Sequence, residues 1–142
     1  MTTIDSNTAP TSKKWNIGLW VAQLALAAMF LMAGFMKLTT SPADMAAMGM
    51  LWAENAPVAL IKFIGLAEVA GALGVILPAA TRIMPDLTKL AALGLATIMV
   101  LASCVHTYRG EFEVLPVNFV LFALAILVVW GRSKKAVIAP RG

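Results

Sequence analysis

The chain has 142 residues, 61% hydrophobic and 13% charged, with one cysteine and a formal charge of +4. Its mean hydropathy of +0.87 is far above that of a soluble domain, so a bilayer is the expected solvent and the length allows one membrane domain. Cys104 has no second cysteine to pair with, which excludes an internal disulfide or a CxxC site. The basic residues cluster at the chain ends and in one loop, a distribution that fits membrane orientation and not a nucleic-acid partner.

Residues 1–16, rich in Thr, Ser and Asn, read as a disordered cytoplasmic tail. The first span is expected over about 17–36. Ala25-Leu26-Ala27 offers a small-x-small cleavage pattern, but hydrophobicity continues unbroken to Phe35, so the segment reads as an uncleaved span. Ser41-Pro42 then opens a short helix over about 42–54, with Met45, Met48 and Trp52 at helical spacing. It is too short to cross and is expected to lie at the interface.

The second span covers about 58–77 and ends at Pro78. The third covers about 86–105, with Asp86 as its N-cap, and the fourth about 116–130, from Pro116 to Trp130. Residues 133–142 form a basic tail. Short loops make consecutive spans antiparallel neighbours, so the expected fold is an all-α membrane protein. It is a four-transmembrane-helix up-and-down bundle with a short interfacial helix between the first and second spans.

Lys13, Lys14, Arg82, Lys89, Arg132, Lys134, Lys135 and Arg141 fall on one side, against Lys37, Lys62 and Arg109 on the other. The bias places both termini in the cytoplasm of a bacterial-type cytoplasmic membrane. The interfacial helix and the loop from Tyr108 to Leu115 then face outward.

Glu68 stands out inside an apolar stretch. An acidic residue at a helix centre costs roughly 2.5–3.5 kcal/mol on insertion scales, so it is expected to face the bundle interior or a wet cavity. Stripes at 3–4 spacing carry Gln23, Ala27, Phe30, Gly34 and Lys37 in the first span and Ile61, Gly65, Glu68, Ala72 and Val75 in the second. The third carries Leu95, Met99, Ala102 and His106, and the fourth Asn118, Phe122, Ala125 and Val129.

If Lys62 snorkels to the outer headgroups, Glu68 lies about 8 Å deep at 1.5 Å per residue, within reach of Lys37 or His106. If the core begins at Val58, Glu68 is nearer the midplane and Gln23 is the better neighbour. The first version is preferred. It gives an outward-opening polar pocket of Glu68, Lys37, His106 and Asn118, with Gly65 leaving room beside the carboxylate. The plainer readings are a structural ion pair for Glu68, a helix-end cation for His106 and polar packing for Asn118.

A copper site is a weaker reading. Met45, Met48 and Met50 form an MxxMxM pattern on the same side as Cys104 and His106, and soft ligands favour Cu(I). Nine methionines make chance clusters common, so no metal ligand is assigned. HExxH, Walker A and GxGxxG motifs are absent from the sequence.

Several short motifs occur in a telling order. Gly34-Phe35-Met36-Lys37 closes the first span, and Gly65-Leu66-Ala67-Glu68 with Gly71 and Gly74 lies in the second. Leu77-Pro78 ends that span, His106 ends the third, Asn118 opens the fourth and Gly131-Arg132 follows it. Over about 16–132 the chain resembles the DoxX-like family of membrane proteins. The resemblance implies a subunit associated with redox systems, the family being named for a membrane subunit associated with thiosulfate:quinone oxidoreductase.

On that reading the pocket holds a small lipophilic molecule such as a quinone. Glu68 and His106 exchange protons with it, while Lys37, Asn118, Gly65 and Gln23 bind it, Lys37 or Asn118 orienting a ligand oxygen. One histidine cannot supply bis-His haem ligation, so any electron carrier belongs to a redox partner protein. Whether the chain is itself an enzyme is left open. The alternatives are a non-enzymatic membrane assembly component, with Lys37 and Glu68 as a buried structural pair, and a proton-coupled small transporter. Besides the lipid bilayer, a second copy of the chain is a natural partner for so small a bundle.

Overall fold

The computed structural model describes residues 12–142, and most of the polar tail expected over 1–16 lies outside them. Helix α1 runs Lys13–Thr39, one turn earlier than the expected start. Its 27 residues are about 40 Å long at 1.5 Å per residue, more than the hydrocarbon core, so it tilts or projects beyond it.

Ser41 caps the next element, α2 (Pro42–Ala47). Its Oγ accepts from the Asp44 N–H at 3.1 Å and donates to Asp44 Oδ2 at 2.6 Å. The expected continuous helix over 42–54 is interrupted, because Gly49 takes a φ of +97° and turns the chain into a separate 3₁₀ turn, Leu51–Asn55. Met45, Ala53 and Ile61 are buried together at that break, so the segment docks on the start of the next long helix.

That helix, α3 (Val58–Thr81), continues one turn past Pro78. Pro78 lacks the N–H that would reach the Gly74 carbonyl. The helix survives this loss, with Thr81 Oγ1 donating to the Leu77 carbonyl at 2.7 Å, and stops at Arg82 with a left-handed φ of 60°. Helix α4 (Asp86–Arg109) is capped by Pro85, not Asp86, which instead sits in the first turn and pairs with Lys89 at 2.7 Å. Gly110, with φ +74°, terminates α4. The Glu111 N–H then returns to the His106 carbonyl at 2.9 Å. A 3₁₀ turn (Phe112–Val114) leads into α5 (Leu115–Lys134).

Four helices, α1, α3, α4 and α5, are long and apolar enough to cross a membrane. They form a ring in which α1 packs on α3, α3 on α4, α4 on α5 and α5 back on α1. Leu26, Phe30, Val75, Leu95, Ala96 and Val128 fill its centre. Small residues set the helix spacing, as a Cβ on Gly74 would stand 2.7 Å from Ala91 Cβ. Val21, Met32, Phe63, Leu66, Leu90 and Phe119 are exposed on the outside, where hydrocarbon, not water, is the natural solvent.

Both termini of the bundle lie at one end, where Trp15 and Trp130 meet edge to face at 5.4 Å. Residues read as a basic tail fold back across this end. Arg82 Nε donates to the Ala139 carbonyl and the Arg141 N–H to the Arg82 carbonyl, both at 2.9 Å.

Candidate functional site

At the end of the bundle opposite the termini, α1 and α3 cross at Gly34 and Gly65. A Cβ on Gly34 would lie 2.7 Å from the Gly65 carbonyl oxygen, and one on Gly65 would lie 2.9 Å from the Gly34 oxygen. Only glycine permits this approach. Lys37 and Glu68 each follow their glycine by three residues, so one helical turn carries both to the same crossing. The Lys37 ammonium donates to both carboxylate oxygens, at 2.9 and 3.1 Å. Glu68 is buried and Lys37 nearly so.

This two-point contact satisfies the acid within the apolar span, and its low-dielectric surroundings make the pair costly to break. Lys62 does not extend freely to the headgroups, the premise of the preferred depth for Glu68. Its Nζ donates to the Leu38 carbonyl at 2.8 Å and so satisfies one of the unpaired acceptors at the end of α1.

The structure brings Lys37, Glu68 and Gly65 together but gives His106 and Asn118 other partners. His106 Nδ1 is 2.7 Å from Glu111 Oε2, and Arg109 Nε donates to Glu111 Oε1 at 2.7 Å. The Gly110 turn imposes this by folding Glu111 back over the last turn of α4. The Glu111 carboxyl is held below the usual carboxylate range, first by its hydrogen bond from Arg109 and also by His106. Asn118 is buried in the first turn of α5, and its amide donates to Ser103 Oγ on α4 at 3.3 Å.

Ser103 lines a groove of about 560 Å³ between α4 and α5, with Met99, Cys104, Thr107, Tyr108, Phe119 and Phe122 among its other walls. The groove is apolar along its length. Its polar groups are hydroxyls set one helical turn apart on α4, at Ser103 and Thr107, with Tyr108 alongside. His106 precedes Thr107 on the same turn. Such a surface can hold a flat apolar body and hydrogen-bond an oxygen at its end.

Gln23 lies apart from all of these, toward the end with the termini. Its Nε2 donates to the Val75 carbonyl and its Oε1 accepts from Arg132 Nε. The three methionines of the copper reading differ in setting, with Met45 and Met50 in an apolar cluster and Met48 exposed. Among the described residues no group of three or more His, Cys, Asp or Glu side chains could hold a metal ion.

Sequence reasoning gave no site role to Ser103, Glu111 or Arg132. Arg132 had a usable signal, since the inward stripe of α5 runs Ala125, Val128, Arg132 at 3–4 spacing. Glu111 had none, because its position depends on a left-handed glycine.

A family model described as the DoxX-like family matches residues 21–128, reaching into all four spans. No curated protein and no solved structure matches the chain.

Proposed function

The chain belongs to the DoxX-like family, and on that premise we propose that it is a redox-associated membrane subunit holding a small lipophilic molecule, of the quinone class, in the groove between α4 and α5. The observation that carries this is the groove itself, about 560 Å³ of largely apolar wall ending in the hydroxyls of Ser103, Thr107 and Tyr108. Asn118 orients Ser103 from behind. The ring of a quinone lies against Phe119 and Phe122, and one carbonyl oxygen accepts from the α4 hydroxyls.

His106, bonded to Glu111 through Nδ1, stands behind the groove wall, and its proton reaches the ligand through the hydroxyl of Thr107, the next residue on α4. Glu111 and Arg109 connect it to the aqueous side. Two electrons from a partner protein and two protons convert the quinone to its hydroquinone, and this chain supplies a proton path but no electron carrier. Glu68 then acts at a distance from the ligand, fixing α1 against α3 through Lys37. The excess of Lys and Arg at the end bearing the termini supports a cytoplasmic position for that end, with the groove on the outer side.

Co-purified quinone, quantified by mass spectrometry, tests the reading. The wild type retains it, and Thr107→Phe, which fills the groove from an exposed position, loses it without a fall in Tm. Equal quinone content in the two proteins contradicts it.

A second reading, an assembly component, is favoured by the outward groove of about 540 Å³ between α3 and α4. Ala67, Ala70 and Gly94 leave room there for a partner's helix. Gly94→Leu, with open space around its Cβ, or Ala70→Leu would then abolish co-purification of a membrane partner while leaving quinone content unchanged.

A further inference from the structure

Arg132 lies in the last turn of α5 and is 3% exposed. Its guanidinium has five N–H donors and stays charged at any physiological pH. Three donors are used. Nε donates to Gln23 Oε1 at 2.7 Å, and Nη1 donates to Asn16 Oδ1 at 2.7 Å and to the Ala136 carbonyl at 3.2 Å. All three acceptors are neutral. The guanidinium carbon stands 5.4 Å from the Trp20 ring centroid, which adds a cation–π contact but no negative charge. Nη2 is buried and has no hydrogen-bond partner.

The second buried polar atom without a partner among the described residues is Thr88 Oγ1. Thr88 is in the first turn of α4. Because α4 and α5 are antiparallel neighbours, that turn sits at the same end of the bundle as the last turn of α5. Both residues belong to the inward stripes of their helices, Thr88 with Ala92 and Leu95, Arg132 with Ala125 and Val128.

The remaining charges at this end are Lys13, Lys14, Arg82, Lys89, Lys134, Lys135 and Arg141. The one side-chain carboxylate among the described residues here is Asp86, paired with Lys89. Lys135 is stationed over the rings of Trp15 and Trp130, at 5.7 and 5.4 Å. A buried cation normally recruits a counter-charge, and a guanidinium cannot escape the requirement by losing its proton.

We propose that the interior of the bundle end bearing the termini is an anion site. Arg132 Nη2 and the Thr88 hydroxyl are its donors, and Gln23 and Asn16 hold the guanidinium in place. The ligand is a small anion or the phosphate oxygen of an anionic membrane lipid, since both offer a charged acceptor to an N–H pair and a hydroxyl. Access is controlled by the segment from Ala136 to Arg141, which covers this end and is pinned to the α3–α4 turn at Arg82. The inference uses none of the groove residues and stands whether or not the quinone reading does.

The test is thermal unfolding of the delipidated, detergent-solubilised full chain at constant ionic strength. Isethionate is replaced by chloride or phosphate in one arm. In a chloride-free arm, short-chain phosphatidylglycerol is compared with phosphatidylcholine. The wild type gains a saturable rise in Tm of about 5 °C at anion concentrations near a hundredfold the Kd.

A rise with chloride or phosphate assigns a free anion, and a rise with phosphatidylglycerol alone assigns a lipid phosphate. Thr88→Val, which keeps volume and fold, weakens the response about tenfold, Arg132→Gln removes it, and Lys134→Gln leaves it as in the wild type. Should Arg132→Gln fail to fold, Thr88→Val decides. A wild-type Tm indifferent to the anion, or a response in Thr88→Val equal to that of the wild type, overturns the site.

Discussion

Gly34 and Gly65 face each other across the α1–α3 crossing, each with its carbonyl oxygen within 3 Å of where a Cβ on the other would stand. Beside them, Lys37 Cβ lies against Gly65 and Glu68 Cβ against Gly34. The stem of each charged residue thus fills the space opposite the other helix's glycine. The Lys37–Glu68 ion pair follows from this backbone approach.

Gly34→Ala and Gly65→Ala should each force the two helices apart, because the atom in the way is a backbone oxygen that cannot swing aside. Overpacking of this kind costs about 1–3 kcal/mol. Unfolding of each variant in mixed micelles, compared with the wild type, measures it. Gly18→Ala, with open space around its Cβ, should carry no such cost and gain up to about 1 kcal/mol of helix propensity by the same assay.

Lys37→Met should be more damaging than the loss of one surface charge, because it leaves the Glu68 carboxylate buried without its partner. Breaking a buried pair in this way costs about 3–5 kcal/mol. The double variant Lys37→Met/Glu68→Met should recover much of that loss, since two apolar side chains of similar size need no partner. A double-mutant cycle reads the coupling directly, and additive single effects would show that the pair is not coupled.

Gln23→Leu removes a donor to the Val75 carbonyl and an acceptor from Arg132 in one step. The orphaned groups are buried, so a loss of about 1–3 kcal/mol for each is expected. Gln23→Glu should cost less than Gln23→Leu, because its carboxylate neutralises Arg132 although it loses the donor to the Val75 carbonyl. Paired unfolding curves for the two variants make the comparison.

The loop between α4 and α5 should weaken in acid. The Glu111 carboxyl titrates below its ordinary value of 4.5 because Arg109 and then His106 favour its charged form. A depressed folded-state value contributes stability that is fully present above the unfolded value and lost as pH falls through the folded one. The contribution is therefore intact at neutral pH and disappears below about pH 4.5. Tm measured from pH 7 to pH 3 in the wild type and Glu111→Gln should converge toward the acid end.

The α3 stripe of Ile61, Gly65, Glu68, Ala72 and Val75 was legible in the sequence because every member is inward-facing at helical spacing, and all five are buried. The pairing of Lys37 with Glu68 was legible for the same reason, as both follow a glycine by one turn. The partners of His106 and Asn118 were not. They are set by the Gly110 turn and by the facing register of α4 and α5, and neither leaves a periodic trace. Arg132 was hidden differently, because a basic residue at a span end is usually a headgroup contact. The break at Gly49 was missed because the apolar spacing of Met45, Met48 and Trp52 runs straight through it.

Photolabelling with an azidoquinone tests the central claim most directly. Irradiated in membranes and digested, the protein should carry the label on the stretch from Met99 to Phe122, around Ser103, Phe119 and Phe122, and excess unlabelled quinone or Thr107→Phe should abolish it. Label spread over the lipid-facing residues of all four spans, undiminished by either competitor or variant, would contradict a quinone site between α4 and α5.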